Sequence, residues 1–227
     1  MLAIASPQDG TAVTDGTQTA DEGTIQFAYG LSAPIDFELS DPLFASLRAW
    51  RRVLCKLDLL GRDPTRYGGL GFGNLSVREP DHPARFVITA SQTSGARDLY
   101  RSDLVRIMAC SLERFWVEAE GHKPPSSETL SHAMIYAADP DVACVLHVHS
   151  PELWQQAEAL ALPRTAADVP YGSPAMATAV QALLRIHSQR PLVFATGGHE
   201  DGVFACGTDP DVTGGALIAA LARALRT

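Results

Sequence analysis

Lys123-Pro-Pro-Ser-Ser-Glu-Thr-Leu-Ser-His132 leads on to Asp141-Val-Ala-Cys-Val-Leu-His-Val-His149. The second of these segments reads as an apolar strand over 141–149 with His147 and His149 two residues apart. Side chains alternate along a strand, so both imidazoles leave the same face with their roots ~7 Å apart. That spacing lets two neutral ring nitrogens converge on one divalent metal. The plainer reading is a histidine pair on a solvated face. Val142, Ala143, Cys144, Val145, Leu146 and Val148 argue against it, because a strand apolar on both faces is buried, and two buried imidazoles need a shared partner.

Upstream, Lys123-Pro-Pro125 stops the chain, and Ser126-Ser127 open a helix expected over 128–138. A helix N-terminus presents free amides and the positive end of a dipole, so these serines either bind an anion or simply cap the helix. Glu128 falls in the first turn, where a carboxylate is favoured. Because the helix feeds the histidine strand through Asp139-Pro140, Glu128 is a candidate base or labile fourth ligand. His132, one turn on, is expected to pack or to support the site from behind.

Downstream, helices are expected over 151–160 and 173–186. A short buried strand over 191–195 delivers Thr196-Gly-Gly-His-Glu-Asp-Gly202. His199 sits where a third imidazole can reach the site. Three nitrogen ligands with an open position describe a catalytic metal centre rather than a structural one. A strand over 203–206 and a closing helix over 209–225, with apolar Val212, Leu217, Leu221 and Leu225, complete the chain.

The 227 residues fit one domain of generous size with a tail; residues 1–22 are rich in Thr, Gly, Asp, Gln and Ala without periodicity and read as flexible, and 23–227 as a single domain. A hydrophobic content of 46% describes an ordinary soluble globule, and a net charge of −8 argues against nucleic acid or an anionic membrane as the main partner. No apolar run approaches the ~20 residues of a membrane span, and no secretory signal is evident at the start. Cys55, Cys110, Cys144 and Cys206 are scattered, without a Cys-x-x-Cys pair, as reduced cytoplasmic thiols are. A metal here must therefore be held by histidine and carboxylate.

In the first half, Leu43, Leu47, Trp50, Leu54 and Leu57 follow helical spacing after Asp41-Pro42, so an amphipathic helix is expected to run to Gly61, with Arg48, Arg51 and Arg52 on a solvated face. Tyr67-Gly-Gly-Leu-Gly-Phe-Gly-Asn-Leu-Ser-Val-Arg78 is either a tight turn into a strand or a place where backbone amides approach a ligand. It lacks the Gly-Lys-Ser/Thr ending of a Walker loop. Strands over 75–78, 85–89, 104–109 and 115–119 form an antiparallel set.

Five blocks in order, Gly73-Asn-Leu-Ser-Val-Arg78, Phe86-Val-Ile-Thr-Ala-Ser91, Lys123-Pro-Pro-Ser-Ser-Glu128 through His132, His147-Val-His149, and Gly198-His199 followed by Gly202, resemble the class II aldolase/adducin family from about Phe44 to the C-terminus. Amidohydrolases and cupins also use His-x-His, but in a larger barrel and an all-strand chain respectively. The resemblance implies an α/β fold, a three-layer α/β/α sandwich around a mostly antiparallel sheet, assembled as a homotetramer with active sites at subunit interfaces. It implies zinc (or Mn2+, Fe2+ or Co2+) on His147, His149 and His199, with Glu128 as the acid/base carboxylate. Gly73, Asn74, Ser91, Ser126 and Ser127 match positions that hold a substrate phosphate or carboxylate.

The implied activity is a carbon–carbon lyase acting on a small hydroxy-carbonyl or sugar-phosphate-like substrate through a metal-stabilised enediolate. An epimerase, dehydratase or decarboxylase on the same site, or a non-catalytic adducin-like interaction domain, are the alternatives. Three departures stand out. Gln92 replaces the glycine that follows Ser or Thr in the sugar-phosphate aldolases, and points to a different or unphosphorylated acid. The tyrosine proton donor those aldolases supply after the histidine strand has no match, since Tyr171 lies in another context. Glu200-Asp201 adds negative charge next to His199.

Overall fold

The computed structural model describes residues 23–33 and 39–226; the expected tail at 1–22 lies outside them. Among the described residues, ten strands and five α-helices follow in the order β1 (Ala28–Ser32), α1 (Asp41–Lys56), β2 (Gly61–Arg62), β3 (Gly71–Phe72), β4 (Asn74–Glu79), β5 (His82–Thr89), β6 (Leu104–Ser111), β7 (Trp116–Gly121), α2 (Thr129–Ala138), β8 (Cys144–His149), α3 (Pro151–Gln155), α4 (Pro174–Ile186), β9 (Leu192–Ala195), β10 (Gly202–Gly207) and α5 (Pro210–Ala224). Eight strands form one sheet in the order β1-β7-β6-β5-β4-β8-β10-β9, and β2 pairs with β3 apart from it. Every pairing in the large sheet is antiparallel except that of β1 with β7.

The three-layer expectation holds, and its cause lies in the alternation along each strand. Cys144, Leu146 and Val148 of β8 point into a core with Leu47 and Leu54 of α1, Leu153 of α3 and Leu217 of α5. Val145, between them, points the other way, into a core with Leu130 and Ile135 of α2 and Met176 and Val180 of α4. His147 and His149 share the parity of Val145 and so lie on the α2/α4 side. No helix among the described residues is long and apolar enough to cross a membrane.

Several expectations need correction. The first helix stops at Lys56 rather than Gly61, because Asp58 adopts a left-handed backbone (φ +55°) and turns the chain; Leu57 is left 43% exposed. Arg51 is not solvated. It is 1% exposed and its Nη2 donates to the Thr93, Ser94 and Ala96 carbonyls, at 2.9, 3.0 and 2.7 Å. Arg48 and Arg52 do reach solvent, but both grip Asp98, whose carboxyl their hydrogen bonds hold well below the usual carboxylate range. The histidine strand starts at Cys144 rather than Asp141, α3 ends at Gln155, and Val212 and Leu225 of the last helical region are exposed. Sequence pattern does not anticipate β1, whose residues are all exposed except half-buried Gly30 and carry little apolar signal.

Candidate metal centre and polar pocket

His147 and His149 are fully buried at the end of β8, with ring centroids 5.1 Å apart. Their neighbours follow from register: Phe204 of β10 and Asn74 of β4 stand opposite His147, and Gly202 opposite His149. Phe204 stacks on the His147 ring at 4.3 Å. The His147 Nδ1 lies 3.2 Å from the Val203 carbonyl. An Nδ1–H donated there leaves the lone pair on Nε2, the tautomer that a metal ligand needs.

His199 comes from the turn between β9 and β10. Its ring lies 5.1 Å from that of His147 and 4.8 Å from that of His149. The three side chains each offer a nitrogen, all within 4.8 Å of one another, and all three are buried. Gly202 makes this approach possible, since a Cβ there would lie 2.8 Å from the His199 Nδ1 and 2.5 Å from the Thr196 hydroxyl. Three buried imidazoles at this separation form a donor set that fits a divalent transition metal.

Glu128 lies just ahead of α2, at its cap rather than in its first turn, and is 1% exposed. Its Oε1 is 3.4 Å from the His199 Nδ1. Thus α2 delivers the carboxylate to the cluster from the layer above the sheet. His132 stands apart from the cluster. Its Nδ1 is 2.7 Å from the Ser76 hydroxyl, which in turn is 2.7 Å from the Tyr136 hydroxyl, and its ring packs on Phe204. Burial lowers the His132 pKa to about 3, so the imidazole is neutral.

Gly73, Asn74, Ser91, Ser126 and Ser127 line one small pocket next to the histidines, the Ser91 turn being tied to the α2 entry by a 3.0 Å bond from the Ser91 N–H to the Pro124 carbonyl. The three histidines, Glu128 and the five candidate substrate-binding residues therefore gather in one region of the fold, whereas His132 does not join them.

Sequence reasoning missed Tyr67 and the role of Asp201. Tyr67 sets its ring edge-on to His149 at 4.5 Å and donates its hydroxyl to Asp201 at 2.7 Å, while Arg66 donates to the same hydroxyl. Burial and the Asp201 bond raise the Tyr67 pKa well above its ordinary value, so the phenol stays protonated. Asp201 is thus spent on bracing the His199 turn, and Glu200 is exposed. Tyr171 packs its ring 4.4 Å from His199. The only signal for Tyr67 was its place at the head of the glycine-rich stretch.

A family profile for the class II aldolase and adducin N-terminal domain matches residues 65–213, and the chain belongs to that family. Curated relatives include the methylthioribulose-1-phosphate dehydratases of Leptospira biflexa, 35% identical over 78 residues, and of Geobacillus kaustophilus, 37% identical over 78 residues. That alignment covers 34% of this chain and 36% and 34% of theirs, so the match spans about a third of either relative. Among solved structures, L-fuculose-1-phosphate aldolase from Thermus thermophilus superposes with a TM-score of 0.59 at 20% identity, covering 82% of this chain and 92% of that one. A sugar-phosphate aldolase from Thermotoga maritima gives 0.56 at 16% identity, covering 82% and 95%. These structural likenesses establish the shared fold.

Proposed function

We propose that this chain is a divalent-metal-dependent lyase acting on a small hydroxy-carbonyl compound. The observation that carries this reading is the meeting of three buried imidazoles with a buried carboxylate, Glu128, 3.4 Å from one of them. His147, His149 and His199 would hold the ion, which supplies Lewis acidity to adjacent substrate oxygens when bound. Glu128 takes a proton from the substrate carbon or hydroxyl and returns it. Its burial by α2 excludes water from that transfer. Tyr67 and Asp201 fix the rings of His149 and the His199 turn. Zinc as the ion, a homotetramer with sites at subunit interfaces, and a cytoplasmic setting are carried over from the family resemblance.

Two outcomes of the same proton transfer compete, carbon–carbon cleavage and loss of water. The dehydratase names of the curated relatives favour the second. The test is to incubate metal-loaded protein with phosphorylated and unphosphorylated hydroxy-carbonyl compounds and follow products by NMR. A new aldehyde with a smaller carbonyl partner signals cleavage, and a product lighter by the mass of one water, checked by mass spectrometry, signals dehydration. Absence of turnover across the panel, with metal bound stoichiometrically, contradicts the lyase reading.

A further inference from the structure

The polar pocket beside the histidines has a volume of about 20 Å3. One water needs about 10–15 Å3 on this scale, so the pocket is small. Gln92 and Gly23 make it small. Gln92 has a left-handed backbone (φ +58°), and its amide bridges two walls. Oε1 accepts the Gly71 N–H at 3.0 Å and Nε2 donates to the Gly23 carbonyl at 3.3 Å. The Gly23 N–H donates in turn to the Tyr171 hydroxyl at 3.2 Å. Gly23 is itself left-handed at φ +73°, and a Cβ on it would lie 2.7 Å from the Gln92 Nε2 and 3.0 Å from the Gly71 carbonyl, so glycine is required there.

Charge and hydrogen bonding point the same way. No charged residue lines the pocket among the described residues, and Lys123 nearby is engaged with Asp103 at 2.6 Å. A phosphate ester carries about −1.5 to −2 at neutral pH, whereas a carboxylate carries one charge that neutral donors can hold. The Gln92 side chain also consumes the Gly71 N–H, a backbone donor that a bulkier anion would otherwise use. Asn74 lines the pocket at 6% exposure, and its Oδ1 has no hydrogen-bond partner among the described residues. A buried amide end left so is costly until a ligand meets it, and rotation of the amide presents either donor or acceptor. Ser126 and Ser127 stand at the entry of the ten-residue α2, whose positive end favours an anion.

We propose that this pocket takes the carboxylate of a hydroxy or keto acid, and that Gln92 with Gly23 sets the preference against phosphate. This rests on the lyase reading above. The test titrates zinc-loaded protein calorimetrically with two hydroxamates that chelate metal alike, glycolohydroxamate phosphate and malonic acid monohydroxamate, which end in phosphate and carboxylate respectively. Wild type is expected to bind the carboxylate probe at least tenfold more tightly. Gln92→Gly suits the left-handed backbone, frees the Gly71 N–H and removes the bridge, so the ratio of affinities should move at least tenfold toward the phosphate probe. Gln92→Asn, which tolerates the same backbone but is too short to reach Gly23, should give a smaller shift of the same sign. A wild-type preference for phosphate, or an unchanged ratio in both variants, overturns the pocket assignment and leaves the lyase reading in place. Failure of both probes to bind zinc-loaded protein overturns the lyase reading and this assignment with it.

Discussion

The histidine cluster and the polar pocket adjoin each other but are built from different parts of the fold. Two of the three imidazoles stand on β8, a strand buried along its whole length between β4 and β10, so their positions follow from the sheet register. The pocket is walled by turns: the glycine-rich approach to β4, the Ser91-Gln92 corner and the entry to α2. Sheet register places metal-binding side chains firmly, whereas turns joined by single hydrogen bonds let one side chain reset what fits. Chemistry should therefore be shared with relatives at the cluster, and substrate choice should diverge at the pocket.

The contrast can be broken most directly at the carboxylate. Glu128→Gln should keep metal binding within a few-fold of wild type while lowering turnover by about 10²–10⁴, the usual worth of a positioned proton-transfer group. Steady-state rates beside metal content check this, and full activity in the variant removes Glu128 from the proton-transfer role. Metal removal should come next in size. An ion present at ~1,000 times its dissociation constant stabilises the fold by about 4 kcal/mol, so chelation should lower the Tm and zinc should restore it. Thermal scans with and without chelator decide it, and an unchanged Tm would mean that the cluster is not a metal site.

Arg51 sharpens the comparison from the opposite side of the sheet. It ties α1 to three carbonyls of the Thr93–Ala96 turn, just beyond Gln92. Arg51→Ala should cost about 3 kcal/mol by leaving those carbonyls unmet, and should loosen the pocket before the cluster. Chemical denaturation, with metal affinity measured alongside, separates the two effects. An effect confined to acid pH concerns His132. Its folded pKa, near 3, lies below the unfolded value of about 6.5, so its contribution is complete above pH 6.5 and is lost as pH falls toward 3. The slope is at most about 1.4 kcal/mol per pH unit. His132→Asn should flatten the acid limb of stability against pH, and an unchanged limb would mean that another group governs it.

How much of this was legible in the sequence tracks how local each signal is. His147 and His149 are two residues apart on one strand, and Ser126, Ser127 and Glu128 are consecutive at a helix entry, so their grouping follows from periodicity. His199 entered through its glycine turn and the ordered blocks of the family. The Tyr67–Asp201 bond joins residues 134 positions apart, and the Gln92–Gly23 bond residues 69 apart; no local pattern announces either. Arg51 looked like Arg48 and Arg52 because helical spacing cannot say which arginine meets a turn that returns from residue 93. Gln92 was visible as a departure from the aldolases, but its bridging of two walls needed the folded chain.

Metal content by elemental analysis of purified protein, wild type beside His199→Ala, tests the central claim most directly. About one divalent ion per chain is expected in the wild type and a clear loss in the variant, with the fold of the variant checked by circular dichroism. No metal in the wild type even after zinc is supplied, or full metal content in His199→Ala, would contradict the three-histidine centre on which the proposed chemistry depends.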